Sequence, residues 1–397
     1  MVSHFSAGLA LRMPPSENSA TTDQSAPRTA SSGGEGAAPA PPERRRKLQP
    51  TAFTGASTSI VVATAVLFLV SWIFERHSVS HSSLLGMLPV AAVLAIMAIG
   101  QTLVIQQGGI DLSVPGIISI TVVIMTRYPN GDSGKVLVAL LLALAVTLAA
   151  GVVSGLAISR IGVTPIVATL GMNALLYGGV LQISGGTPRT TTARLHNFAS
   201  GKVAGIPNTV IIAVILTAAV AFVIKRTILG RRFEAVGAGV IGARAAGVET
   251  RGYQLSAYAG AAAHYCLAGV LLAGVVSTPS AFQGDQYLLP SVAAVVLGGT
   301  SLLGGRGSVV ASAIAALFIS QLDQFVLTIG AKDAVQNLVE AGALAAGLAI
   351  YSVPWRRLLE WSRRPRGGRG DGVPAGAGLG LGSQANQGAQ LAPRPNE

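Results

Sequence analysis

From Thr51 to Pro354 the chain is a succession of apolar runs separated by short polar or glycine-rich breaks. Most of the runs approach the roughly 20 residues a helix needs to cross the hydrocarbon core of a bilayer. The period-two alternation of a membrane barrel is absent. Helices are therefore predicted, because a helix satisfies its own backbone in lipid. The runs predict ten spans, at about 56–74, 84–105, 112–125, 136–158, 163–183, 209–224, 253–276, 291–303, 308–329 and 335–353. The third and eighth are short, which tilt, local bilayer thinning or partial re-entry would accommodate. A polar stretch, 184–208, interrupts the pattern between the fifth and sixth.

The fold class is thus an all-α polytopic membrane protein of about ten transmembrane helices, in three parts. Residues 1–55 are rich in Ser, Thr, Ala, Gly and Pro, lack apolar periodicity, and end near the basic run Arg44-Arg45-Arg46-Lys47; they read as a disordered tail. That run lies too far in for a secretory signal, so the first apolar segment reads as a retained anchor. Residues 56–354 form the membrane domain, and 355–397, rich in Gly, Pro and Arg, read as a second disordered tail. No internal repeat is visible in the pattern.

Composition agrees with this picture. Half of the residues are hydrophobic and only 11% are charged, against about 25% in a soluble domain. The net charge of +12 does not point to nucleic acid, because the basic residues cluster in tails and loops beside apolar spans. Ten crossings put both termini on one side. With the termini inside, the inner segments hold 21 of the 28 Lys and Arg residues, leaving seven outside. The informative piece is the loop 225–252, with Lys225, Arg226, Arg231, Arg232, Arg244 and Arg251 against Glu234 and Glu249. Cytoplasmic termini are expected. The single cysteine, Cys266, excludes an intramolecular disulfide and reads as a small residue within an apolar run.

Catalytic motifs are missing. The glycine-rich stretch 298–307 lacks the lysine and the strand context of a phosphate-binding loop and reads as tight helix packing around a turn. There is no His-Glu-x-x-His or Gly-x-Ser-x-Gly pattern, so the chain is not expected to be an enzyme or to bind a metal or cofactor. Ionisable residues inside spans are costly and usually mark function. Asp111 sits at a helix break, where it could cap the third helix or contact a solute. Asp323 lies within the ninth span and should face protein or water; Glu340, one turn into the tenth and near the outer surface, reads as interfacial. Asp111, Asn173, Asp323 and Gln336 are the candidates for lining a translocation pathway.

Three segments carry a resemblance. Gly108-Gly109-Ile110-Asp111-Leu112-Ser113 resembles a signature of ribose-type ABC importer permeases, the inner-membrane component of binding-protein-dependent transport systems. Thr164 to Gly171 (Thr-Pro-Ile-Val-Ala-Thr-Leu-Gly) is similar to a second motif of that family. Ala293 to Val309, with Gly298-Gly299-Thr300-Ser301-Leu302-Leu303-Gly304-Gly305-Arg306, is similar to its most distinctive run. The motifs fall in the family order and span about 84–351. Pro115 stands where the family usually has Gly, and Tyr287-Leu288-Leu289-Pro290 lacks two acids often found there. Asp323 stands where Asn is frequent.

The resemblance implies a multi-pass protein of a prokaryotic inner membrane that pairs with an identical or homologous permease subunit. Two cytoplasmic ABC ATPase subunits, holding ATP and magnesium, would bind beneath it, and an external solute-binding protein would deliver a small sugar such as ribose, xylose or galactose. It further implies that a short inner helix couples the ATPase to the permease. The stretch 233–248 fits: it is flanked by basic clusters and rich in small residues, with Gly237, Gly242, Arg244 and Gly247 as the coupling residues and Gly247 expected to end the helix. Gly108, Gly109, Gly298, Gly299, Gly304 and Gly305 are the structural glycines of the motifs. The alternative is an ion-coupled secondary transporter, which would show inverted repeats and discontinuous helices.

Overall fold

The computed structural model describes residues 52–330, with side-chain surroundings from 58 onward, and five further helical positions (335, 338, 341, 342 and 345) within the tenth predicted span. Residues 1–51 of the N-terminal tail, the C-terminal tail, Gln336 and Glu340 lie outside the described residues, and the first helix already begins at Ala52, within the stretch read as tail. In chain order the helices are α1 (Ala52–Phe74), α2 (His81–Gln106), α3 (Val114–Arg127), α4 (Val136–Leu156, followed by one wider π turn), α5 (Pro165–Ser184), α6 (Ala193–Ala199), α7 (Asn208–Arg226), α8 (Ile228–Ala238), α9 (Val240–Ala245), α10 (Thr250–Val275), α11 (Leu288–Leu297) and α12 (Val309–Thr328). A two-residue hairpin, β1 (Lys202–Val203) with β2 (Ile206–Pro207), joins α6 to α7.

Sequence explains where these helices start. Ser80, Thr192, Thr227, Glu249 and Ser308 stand just before α2, α6, α8, α10 and α12, and each side chain accepts an N–H of the first turn. Proline opens α3 and α5, where its missing N–H is not needed. Six helices, among the described residues, are long and apolar enough to cross a membrane: α2, α4 with its flanking turns, α5, α7, α10 and α12. The apolar part of α1, α3 and α11 are shorter. Nine of the predicted spans coincide with described helices, six of them long and apolar enough to cross a membrane. The main shift is the eighth, which is helical over Leu288–Leu297 and then turns through 298–308. The polar stretch after α5 is not a plain loop, since it carries α6 and the hairpin.

The core is built on α2 and α10, which pack antiparallel. Gly100 faces Ala261 and Tyr265, and Gly260 faces Leu103. A Cβ on Gly100 would lie 2.7 Å from the Tyr265 ring. This close approach through small residues is how helices associate in lipid. Tyr265 also donates its hydroxyl to Gln101 Oε1 at 2.6 Å. On one side α4 packs along α10, with Gly151 against Ala262 and Tyr258. On the other side α12 packs along α2, with Thr102 donating to Ser312 Oγ at 2.9 Å.

These packings reveal an internal repeat that the sequence pattern does not show. α2 packs on α12 and α11 as α10 packs on α4 and α3, and α3 adjoins α4 as α11 adjoins α12. Since α2 and α10 run in opposite directions, the units α2–α4 and α10–α12 have inverted topology. The pattern hides this because the two halves share helix order and packing, not apolar spacing or loop length.

The repeat positions the two short helices. α3 runs alongside α5, with Gly116 against Asn173 and Ile120 against Gly179. It therefore begins about two turns in from the start of α5, and the preceding residues 109–113 are non-helical. On the other side of the repeat, residues 276–287 return from the end of α10 and bring Gly284 onto Pro115, where a Cβ would overlap the Pro115 carbonyl. The Gly284 N–H also donates to Ser119 Oγ at 3.1 Å. The N-terminal ends of α3 and α11 thus meet in the interior, each helix running away toward opposite ends of the bundle.

Candidate functional site

Two regions hold the candidate site residues: the place where α3 and α11 begin, and the far end of α2, where α8 and α9 lie.

At the first, Asp111 is 2% exposed. Its Oδ1 accepts the Ser113 N–H at 2.8 Å and the Ser113 hydroxyl at 2.5 Å. The side chain therefore shapes the turn before α3 and is closed off from any open path. It does not cap the free N–H groups of α3. That role falls to Asn173 of α5, whose Oδ1 accepts the Gly116 N–H at 2.7 Å. Asn173 is half-buried and committed to this bond. Thr169, from the Thr-Pro motif, accepts the Leu112 N–H at 3.0 Å, so α5 also holds the non-helical residues before α3.

Beside Asn173 lies a face that sequence reading did not single out. Tyr177, one turn further along α5, donates its hydroxyl to the Asp285 carboxylate. The Phe282 ring meets Tyr177 edge-on, with centroids 5.2 Å apart and planes at 70°. Asp285 and Gln286 are exposed, and Tyr177 and Gln283 are half-exposed. Asp323, on α12, is partly exposed and close enough to Tyr287 to act on it electrostatically. Aromatic rings beside a carboxylate and amides suit a polyhydroxylated solute. An exposed carboxylate at this depth is costly against lipid and calls for protein or water. Phe282, Gln283 and Asp285 were missed because 277–287 reads from sequence as an ordinary loop between two spans. An apolar crevice of about 380 Å³ between α2, α7 and α12 is lined mainly by Ala, Val and Leu. Its only polar lining residue is Thr217, so it offers little to such a solute. Among the described residues no three His, Cys, Asp or Glu side chains come together as a metal site.

At the second region the stretch 233–248 is two helices, not one. α8 and α9 meet at Gly239, whose backbone is extended. Lys225, at the end of α7, pairs with Glu234 of α8 at 2.8 Å. Gly247 is left-handed (φ +79°), and the Val248 N–H returns to the Ala243 carbonyl at 3.0 Å, closing α9. A side chain at Gly242 would meet nothing within 4 Å. Arg244 is exposed but reaches toward Thr250 at 3.4 Å. Two apolar side chains stand out here, Ile241 on α9 at 87% exposure and Leu303 in the α11–α12 turn at 94%. Single exposed aliphatic side chains are ordinary on a protein surface; these two are candidate contacts because they lie on and beside the stretch that the resemblance assigns to a partner. The motif glycines make the turns close: Gly298 lies against Ser312 of α12, and Gly109 against the Tyr258 hydroxyl.

A family model described as branched-chain amino acid transport system / permease component matches residues 83–353. The ribose import permease protein RbsC of Escherichia coli is 32% identical over 295 residues, covering 73% of this chain and 92% of that one. The fructose import permease protein FruF of Bifidobacterium longum is also 32% identical, covering 68% and 80%. The autoinducer 2 import system permease protein LsrC of Escherichia coli is 29% identical, covering 77% and 89%. No solved structure matches.

Proposed function

The chain belongs to the branched-chain amino acid transport system / permease component family, and we propose that it carries a monosaccharide across the inner membrane as the permease subunit of an ATP-driven importer. The observation behind the choice of solute is the face at Tyr177, Phe282, Asp285 and Gln286, which places rings, a carboxylate and an amide inside the membrane domain. Relatives named for ribose, fructose and autoinducer 2 import support a small polyhydroxylated solute. A second permease copy would cover this face and complete a path between the two subunits. An external binding protein would deliver the sugar. Separate ATPase subunits, holding ATP and magnesium, would dock on α8 and α9 from the cytoplasm, with both chain termini on that side.

Asp111 leaves the list of path-lining candidates in this reading, since it is enclosed. Asn173 becomes a support for α3, and Asp323 stays at the edge of the face. The test is uptake of radiolabelled D-ribose, D-fructose, D-xylose and D-galactose by host cells with and without the gene. Loss of uptake of one or two sugars, restored by the wild-type chain and not by Asp285→Leu with normal expression, is expected. Unchanged uptake of all four on deletion would overturn the sugar assignment.

A further inference from the structure

We infer that Gln106, with Gly237 and Gly305, forms a two-state joint that passes movement of α8 and α9 to the two half-helices α3 and α11. This rests on the ATP-driven reading above. Three backbones converge at this point. The Gly305 N–H, in the turn after α11, donates to the Gln106 carbonyl at 2.8 Å. Gly237, at the end of α8, lies so close that a Cβ there would overlap the same carbonyl. Gly305 is left-handed (φ +75°), and a Cβ on it would sit 2.6 Å from the Ala238 Cα. The next residue, Gln107, donates its side-chain amide to the Phe233 carbonyl of α8 at 2.9 Å. Backbone packed on backbone has no flexible side chain to absorb a displacement. Movement of α8 therefore has to move the Gln106–Gly108 turn that leads into α3 and the Gly304–Gly305 turn that follows α11.

A second observation makes the joint a switch and not a weld. Gln106 is fully buried, yet neither its side-chain nitrogen nor its side-chain oxygen has a hydrogen-bond partner among the described residues. The Thr300 hydroxyl is in the same condition. Both side chains press on Gly307: a Cβ there would lie 2.6 Å from Gln106 Nε2 and 2.9 Å from Thr300 Cγ2. Buried amides without partners are expensive, so an arrangement of the three turns that pairs them is favoured by that pairing. The two arrangements are the two ends of the stroke. ATPase closure on α8 and α9 selects the one in which Gln106 is paired. The proposed roles are positioning ones, because none of these residues faces the solute.

The test uses the full chain carrying Cys266→Ser and Ser280→Cys, at an exposed position of the segment that leads into α11, in right-side-out membrane vesicles of its host. An impermeant maleimide reports, from outside, how accessible that segment is. Vesicles loaded with ATP and orthovanadate are compared with vesicles loaded with ADP. The parent should show a nucleotide-dependent change in labelling rate. Gln106→Met keeps the volume and discards the amide, so it should fold and leave the partner ATPase bound and active while that change shrinks by about fivefold or more. Gly237→Ala should give the same loss, and Gly86→Ala, whose added carbon meets nothing within 4 Å, should keep the parent response. A parent that never responds to nucleotide would sink the ATP-driven reading itself. A responsive parent with an equally responsive Gln106→Met would overturn the joint, even if Gly237→Ala failed to fold.

Discussion

Asn173 Oδ1 accepts the Gly116 N–H at 2.7 Å, so the start of α3 is capped from a neighbouring helix and not by its own turn. A helix beginning inside a membrane domain exposes N–H groups that no water can satisfy cheaply. Asn173→Leu should therefore cost about 1–3 kcal/mol, the usual cost of leaving a buried polar group unpaired. Asn173→Asp keeps an acceptor and should cost less. Thermal unfolding of the purified chain in detergent measures both; equal stability of the Leu variant and wild type would remove the cap from the account.

The apolar runs located nine described helices because a long apolar helix is written in plain composition, and the caps Ser80, Glu249 and Ser308 follow local rules. The meeting of Pro115 with Gly284 was not legible. It depends on 276–287 folding back into the bundle, and that stretch has the composition of a loop wherever it lies. The short third and eighth spans hinted at re-entry without saying that their N-terminal ends face each other. Asp111 drew attention as a rare charge in an apolar setting, yet it shapes a turn. Asp285 drew none, because its neighbours look like any outer loop. The stretch 233–248 stands out by resemblance, but its division at Gly239 and the exposed Ile241 appear only in three dimensions.

Orientation follows from charge and is open to direct labelling. With Cys266 replaced, a cysteine at Ala193, which is exposed on α6, should react with an impermeant maleimide in intact cells. One at Gly239, exposed between α8 and α9, should react only after the cells are opened. The reverse pattern would invert the topology and move the coupling surface outside.

Ile241 should matter for the partner and not for the fold, since it is 87% exposed. An apolar anchor of this kind often carries a disproportionate share of binding energy. Ile241→Asp should lower the vanadate-sensitive ATPase activity that co-purifies with the tagged chain by about tenfold, a penalty of roughly 1.4 kcal/mol, while leaving expression and melting temperature unchanged. Full retention of that activity would shift the contact to Leu303.

The energy source is the central claim, and it separates an ATP-driven permease from an ion-coupled carrier with the same inverted architecture. Right-side-out vesicles containing the chain and its external binding protein should take up the labelled sugar when loaded with ATP. Internal orthovanadate should abolish that uptake, and a protonophore with a sodium ionophore should leave it intact. Uptake that survives vanadate and collapses with the ion gradients would contradict the account.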